Sequence, residues 1–176
     1  MQYIHQYSSP LGGITLASAG DTLTGLWFDD QKYFGSTLAQ DFTPKELPIF
    51  EQTAQWLELY FKGKEPDFTP PLSLNATPFR ETIWKILLSI PYGQTITYGQ
   101  IACLAAEKLA VSKTSARAVG GAVGHNPISL IIPCHRVVGA SGKLTGYAGG
   151  IARKEKLLSL EHCYQPQYTH KTNKYS

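Results

Sequence analysis

The stretch TYGQIACLAAEKLAVSKTSARAVGGA, residues 97–122, decides how the second half of the chain is built. Thr97-Tyr98-Gly99-Gln100-Ile101-Ala102 opens a helix that runs to Glu107 or Leu109. Ser112-Lys113-Thr114 is a polar break, and Ser115 to Ala122 forms a second helix made of small residues. Helix, break and helix make a helix-turn-helix pattern. Many helical pairs share it, so its meaning depends on what surrounds it.

Upstream, Thr77-Pro78 is an N-cap followed by proline at the first helical position. Phe79, Ile83, Ile86, Leu87 and Ile90 then recur at helical spacing, and Pro91-Tyr92-Gly93 stops that helix. Lys64 to Asn75 holds Pro66, Pro70 and Pro71 and reads as a linker. Before it, Leu47 to Lys62 carries Phe50, Ala54, Leu57, Tyr60 and Phe61 on one helical face, and Gly63 ends it. The chain opens with three short strands, Gln2–Tyr7, Ile14–Ala17 and Leu23–Phe28. Turns at Ser9-Pro10-Leu11-Gly12-Gly13 and Ala19-Gly20-Asp21 separate them, as in a β-meander. The pattern predicts an α+β protein. Residues 1–76 form an N-terminal antiparallel sheet with a helix and a linker, 77–162 a mainly helical helix-turn-helix domain, and 163–176 a polar, poorly ordered tail.

Composition narrows the class. Of 176 residues, 43% are hydrophobic and 16% charged, which fits a folded globular protein and not a disordered one. No apolar run is long enough for a membrane span. MQYIHQYSSP lacks a basic region followed by an apolar core, so a cytoplasmic location is expected. Three cysteines, an odd number, argue against a disulfide framework. The net charge of +3 hides an asymmetry. Residues 1–76 carry four Lys or Arg against nine Asp or Glu, whereas 77–162 carry ten against four. A polyanion would meet only the second half.

The chemistry concentrates in Ile131-Ile132-Pro133-Cys134-His135-Arg136-Val137-Val138. A cysteine among β-formers is often a buried core thiol. Here, however, His135 and Arg136 follow it inside an apolar run, and buried polar groups need partners. If the segment is extended, neighbours project to opposite faces, so His135 would reach Cys134 only through a water. The thiolate is the nucleophile, and lowering the cysteine pKa is the expected task of the arrangement. A carboxylate behind His135 would hold its tautomer. Glu161, near the end of a helix expected from Arg153 to Glu161, is one candidate, and spacing alone does not choose it over Glu155.

Pro133-Cys134-His135-Arg136 resembles the signature of the O6-alkylguanine-DNA alkyltransferases, the methylated-DNA–protein-cysteine methyltransferases. Pro91-Tyr92-Gly93, Thr97-Tyr98-Gly99, Arg117-Ala118-Val119-Gly120-Gly121-Ala122, Asn126-Pro127 and Gly146-Tyr147-Ala148-Gly149-Gly150 fall in the same order as in that family. The likeness covers residues 77–162 strongly and the N-terminal half by layout. It implies a ribonuclease H-like N-terminal layout and a winged-helix DNA-binding half that carries the active cysteine.

The resemblance also implies a function: single-turnover repair, in which an alkyl group passes from O6 of a flipped guanine, or O4 of thymine, to Cys134. Cys134 would be the acceptor, His135 its water-linked base, Glu161 the group that orients His135, and Asn126 a hinge joining helix-turn-helix to active-site segment. Tyr98 would donate toward the leaving base, Tyr147 would wall the pocket, the Ala148 N–H would address O6, and Lys154 would stand near the site. Arg117 would fill the gap left by the flipped base, while Ser115, Ala116, Ala118 and Gly120 let the helix approach the minor groove of double-stranded DNA. The expected protein is a monomer with no cofactor. Some relatives hold a structural zinc in the N-terminal half; here that half has no cysteine and only His5, too few ligands for a four-coordinate site.

Some features depart from the family pattern or stand outside it. Leu109 to Thr114 is longer than the family's usual turn. Cys103 lies in an apolar helix and is expected in the core, while His125, His162 and His170 are expected at the surface. Other classes of function remain to be weighed: a lesion sensor, which would lack the acceptor thiol; a cysteine hydrolase, which would need an oxyanion hole; and a regulatory DNA-binding protein, which would need paired half-sites.

Overall fold

The computed structural model describes residues 1–163. Strands β1 (Gln2–Ser9), β2 (Gly12–Ala19) and β3 (Thr22–Phe28) form the expected antiparallel meander. Ile14, Leu16, Leu26 and Phe28 pack into the main core from one face, and Thr15, Ala17 and Trp27 on the opposite face are buried as well, so β2 and β3 are covered on both sides. A short strand β4 (Phe42–Pro44) adds to β1 in parallel, so the sheet order is β3-β2-β1-β4 and the sheet is mixed. Its three exposed residues carried no alternation from which to read it.

The other edge of the sheet, β3, is covered by the chain itself. Leu23 N–H donates to the Pro71 carbonyl and accepts, through its own carbonyl, from Ser73 N–H. Leu26 does the same with Pro127 and Ser129. The proline-rich linker and the segment before the active cysteine thus both finish the sheet, leaving no free edge there. Helix α1 (Pro48–Phe61) packs Phe50, Leu57 and Tyr60 on the inner face, and Gly63, at φ +77°, turns the chain away.

Helix α2 (Pro78–Leu88) begins as the sequence predicts: the Thr77 side chain accepts from Arg80 N–H, with Pro78 at the first position. After Gly93, strand β5 (Ile96–Thr97) leads into α3 (Tyr98–Lys108), closed by a Thr97–Gln100 capping box. The connection to α4 (Ala116–Gly124) turns on Ala110, at φ +53°, and is tied back by Thr114 Oγ1 donating to the Ala102 carbonyl at 2.6 Å. Ser115 caps α4. Trp84 Nε1 donates to the Ala122 carbonyl, fastening α4 to α2. Strand β6 (Val137–Val138) pairs with β5 in parallel, and α5 (Ile151–Leu160) closes the fold. Among the described residues no helix is long and apolar enough to cross a membrane.

Three expectations change. Cys103 is exposed, not core: the buried stripe of α3 is Ile101, Ala102 and Ala105, which leaves Cys103 and Leu104 on the outer side. His125 is half-buried, stacked on Tyr33, whereas His162 is exposed as expected. The segment at Cys134 is a 3-10 turn, Cys134–Arg136, and not an extended strand. Leu130 at φ +71° and the bond from Cys134 N–H to the Ile132 carbonyl coil the chain before it can extend. The polar tail and His170 lie outside the described residues.

Candidate active site

The turn carries Cys134, His135 and Arg136 into the interior, at 4%, 0% and 8% exposure. Such groups must be satisfied inside the protein. Glu161, at the C-terminal end of α5, provides the acceptor. His135 Nε2 lies 2.8 Å from its Oε1, Arg136 donates from Nε to Oε2 at 2.8 Å and from Nη2 to Oε1 at 3.0 Å, and Gly93 N–H donates to Oε2. Of the two carboxylates that spacing allowed, Glu161 is the one the fold brings to His135.

Two partners were not anticipated from the sequence. Tyr60, on α1, donates its hydroxyl to Glu161 Oε1 at 2.8 Å and sits 3.2 Å from His135 Nε2. Arg136 also donates from Nη1 to the Ile90 carbonyl. Arg136 could have been suspected, being a charge inside an apolar run. Tyr60 could not, because a tyrosine on the buried face of a helix reads as packing.

With Nε2 engaged by the carboxylate, Nε2 is the protonated ring nitrogen and Nδ1 the acceptor. His135 Nδ1 is buried and has no protein partner among the described residues. Burial lowers the His135 pKa, against the pull of Glu161, so the ring is neutral. Burial alone would raise Glu161. The bonds from His135 and Arg136, and their charges, outweigh it and bring its pKa down to about 2. With His135 neutral, Arg136 supplies the opposing charge.

Cys134 departs from expectation. Burial pushes its thiol up, and the Asn126 hydrogen bond and the Lys154 charge only partly pull it back. The resting group is therefore a thiol, and a base must take its proton when it reacts.

Asn126 holds the turn in place. Its Nδ2 donates to the Ile132 carbonyl at 2.7 Å and its Oδ1 accepts from Ile128 N–H at 3.0 Å. Lys154 is fully buried and donates from Nζ to the carbonyls of Thr145 and Gly146. Burial lowers its pKa to about 8, with Cys134 pulling the other way. The lysine thereby anchors the loop that carries Tyr147 and Ala148.

In front of the thiol lies a cavity of about 290 Å³ lined by Cys134, Tyr98, Gly120, Val123, Tyr147 and Ala148, and by Lys32 and Tyr33 from beyond β3. That volume is at the small end of ligand pockets. The Tyr147 hydroxyl is buried without a partner among the described residues, and burial raises the pKa of both Tyr147 and Tyr98, so both remain phenols able to donate. Beside the cavity, α4 exposes Ser115, Ala116, Arg117 and Ala118. Among the described residues no cluster of His, Cys, Asp or Glu could hold a metal ion.

A helix-turn-helix surface beside a buried cysteine that is backed by a histidine and a carboxylate defines a DNA-binding protein with a reactive thiol. Residues 2–74 match the family described as 6-O-methylguanine DNA methyltransferase, ribonuclease-like domain, and residues 78–163 match the 6-O-methylguanine DNA methyltransferase, DNA binding domain. The methylated-DNA–protein-cysteine methyltransferase of Mycobacterium tuberculosis is 45% identical over 166 residues, covering 94% of this chain and 96% of that protein. That of Haemophilus influenzae is 41% identical over 162 residues, covering 90% and 86%. The crystal structure of M. tuberculosis O6-methylguanine methyltransferase superposes with a TM-score of 0.78 at 45% identity, covering 95% of this chain and 96% of that one. That of M. tuberculosis OGT in complex with DNA gives 0.77 at 46%, covering 90% and 92%. The chain belongs to the 6-O-methylguanine DNA methyltransferase family.

Proposed function

We propose that this protein repairs DNA by moving an alkyl group from O6 of guanine to the Cys134 sulfur, once per molecule. The observation that carries this reading is a single one: Cys134 lines a partly open cavity, and the next residue, His135, is neutral, held by Glu161 and keeps a buried Nδ1 with no partner among the described residues. His135 takes the thiol proton, directly or through one water. The thiolate attacks the alkyl carbon in line with the C–O6 bond. A C–S bond forms, the C–O6 bond breaks, and its electron pair passes to O6 and the purine. Tyr98 donates toward the ring as that charge builds, and the Ala148 N–H addresses O6. Guanine leaves with the proton that the thiol gave up. The remaining thioether, unlike an acyl-enzyme, has no carbonyl for water to attack, so the protein is consumed.

A base within a duplex hides its O6 substituent, so the nucleotide must turn out, at a cost of a few kcal/mol. Arg117, long and exposed on α4, fills the gap. The exposed small residues of α4 and the excess of basic residues in 77–162 favour close, sequence-independent approach from the minor groove by a monomer. Cys134→Ala should abolish transfer yet still bind a duplex carrying O6-methylguanine in a gel-shift assay. Transfer retained by that variant would remove the mechanism.

A further inference from the structure

The alkyl-transfer reading leaves the N-terminal sheet without a part in the chemistry, yet Lys32 and Tyr33, in the loop that follows β3, line the cavity. Resting on that reading, we propose that Tyr33 is a specificity-determining wall of the pocket that receives the O6 substituent. Tyr33 follows β3 and stands at φ +61°, a left-handed conformation strained for an aromatic residue. Burial does not explain the strain, since the side chain is 41% exposed. What holds it is a set of fastenings between residues 30–32 and the substrate loop. Lys32 N–H donates to the Ala148 carbonyl at 2.9 Å. Arg153 donates from Nη1 both to Asp30 Oδ1 at 2.6 Å and to the Gly149 carbonyl at 3.0 Å. Gln31 Oε1 accepts from Phe28 N–H and from the Ser129 hydroxyl, five residues before the thiol.

The ring itself is braced. It stacks on His125 with centroids 3.9 Å apart and planes 23° from parallel. His125 Nδ1 is in turn 2.7 Å from the Gly121 carbonyl of α4. Tyr33 is therefore a rigid aromatic plate that two elements hold against the cavity, and the Ala148 loop cannot move away from it without breaking the Lys32 bond. A plate so placed admits a small alkyl group and crowds a large one. Removing the ring enlarges the pocket on that side while leaving Cys134, His135 and Glu161 untouched.

The test compares two duplexes of the same sequence, one with O6-methylguanine and one with O6-benzylguanine, and follows Cys134 adduct formation by intact mass over time. Tyr33→Ala should raise the benzyl-to-methyl rate ratio by about 10-fold, the scale of discrimination by a pocket wall. Tyr33→Phe keeps the ring and should keep the wild-type ratio. His125→Ala, which removes the brace, should move the ratio in the same direction by a smaller factor. A ratio within about twofold of wild type in Tyr33→Ala, including a parallel fall in both rates, overturns the wall. Wild-type protein that forms no adduct with either duplex overturns the alkyl-transfer reading itself, which separates the two failures.

Discussion

Glu161 Oε1 and Oε2 receive hydrogen bonds from Tyr60, Gly93, His135 and Arg136, and this one carboxylate decides how the site can work. A neutral amide has only one acceptor oxygen, so it cannot accept all five hydrogen bonds that these four residues direct at the carboxylate. Glu161→Gln should slow alkyl transfer, because His135 loses the carboxylate that would stabilise its protonated form, and the rate of adduct formation with an O6-methylguanine duplex measures it. An unchanged rate would uncouple Glu161 from the reaction. Tyr60→Phe removes one donor and leaves the ion pair with Arg136. It should lower the rate by less than His135→Ala, for which a loss of about 10²–10⁴ fits general-base catalysis. At this scale spacing and likeness pointed to Cys134, His135, Asn126 and Lys154, and the fold buries all four. The sequence was silent on Tyr60, which lies 101 residues from Glu161 and meets it only through packing. It also misjudged the thiol, because local motif chemistry suggests a lowered pKa, whereas burial, a property of the whole fold, raises it.

Among the elements, α4 has two sides: Ser115 to Ala118 at its start are exposed, while Gly120 and Val123 line the cavity. Arg117→Ala should therefore cut reaction with alkylated duplex far more than reaction with free O6-benzylguanine, measured as rate constants for adduct formation. Equal losses on both would remove its role in holding the flipped state. The helices were legible because their ends carry local chemistry, such as Thr77-Pro78, Gly63 and Gly93. The 3-10 turn at Cys134 was not. Its β-branched neighbours favour a strand, and the coil is imposed by Asn126 gripping Ile132 and by Leu130 in a left-handed conformation. Strand β4 escaped for a related reason, since its pairing with β1 is long-range and its side chains are all exposed.

In the whole molecule, the N-terminal sheet, the linker and the active-site segment share one core, and the relay is built from both halves: Tyr60 from the first, His135 and Glu161 from the second. Acid should therefore unfold the protein through its active site. Glu161 is held at about 2 against 4.5 for a free carboxyl, so the unfolded chain binds its proton first as pH falls. Its stabilisation, about 3 kcal/mol at most, is complete above pH 4.5 and is lost as pH falls toward 2. His135, lowered by burial, adds a loss that begins below its ordinary 6.5. Urea unfolding from pH 7 to 3 should show stability falling throughout, and the steep acid limb should flatten in Glu161→Gln. A limb equally steep in that variant would place the acid sensitivity elsewhere.

Transfer to Cys134 is measured by intact-protein mass after incubation with an O6-methylguanine duplex, followed by peptide mapping. The expected result is a gain of one methylene mass, confined to the peptide containing Cys134 and saturating at one per protein molecule. An unmodified Cys134 with the lesion intact, or a lesion removed by protein that turns over repeatedly, would contradict it.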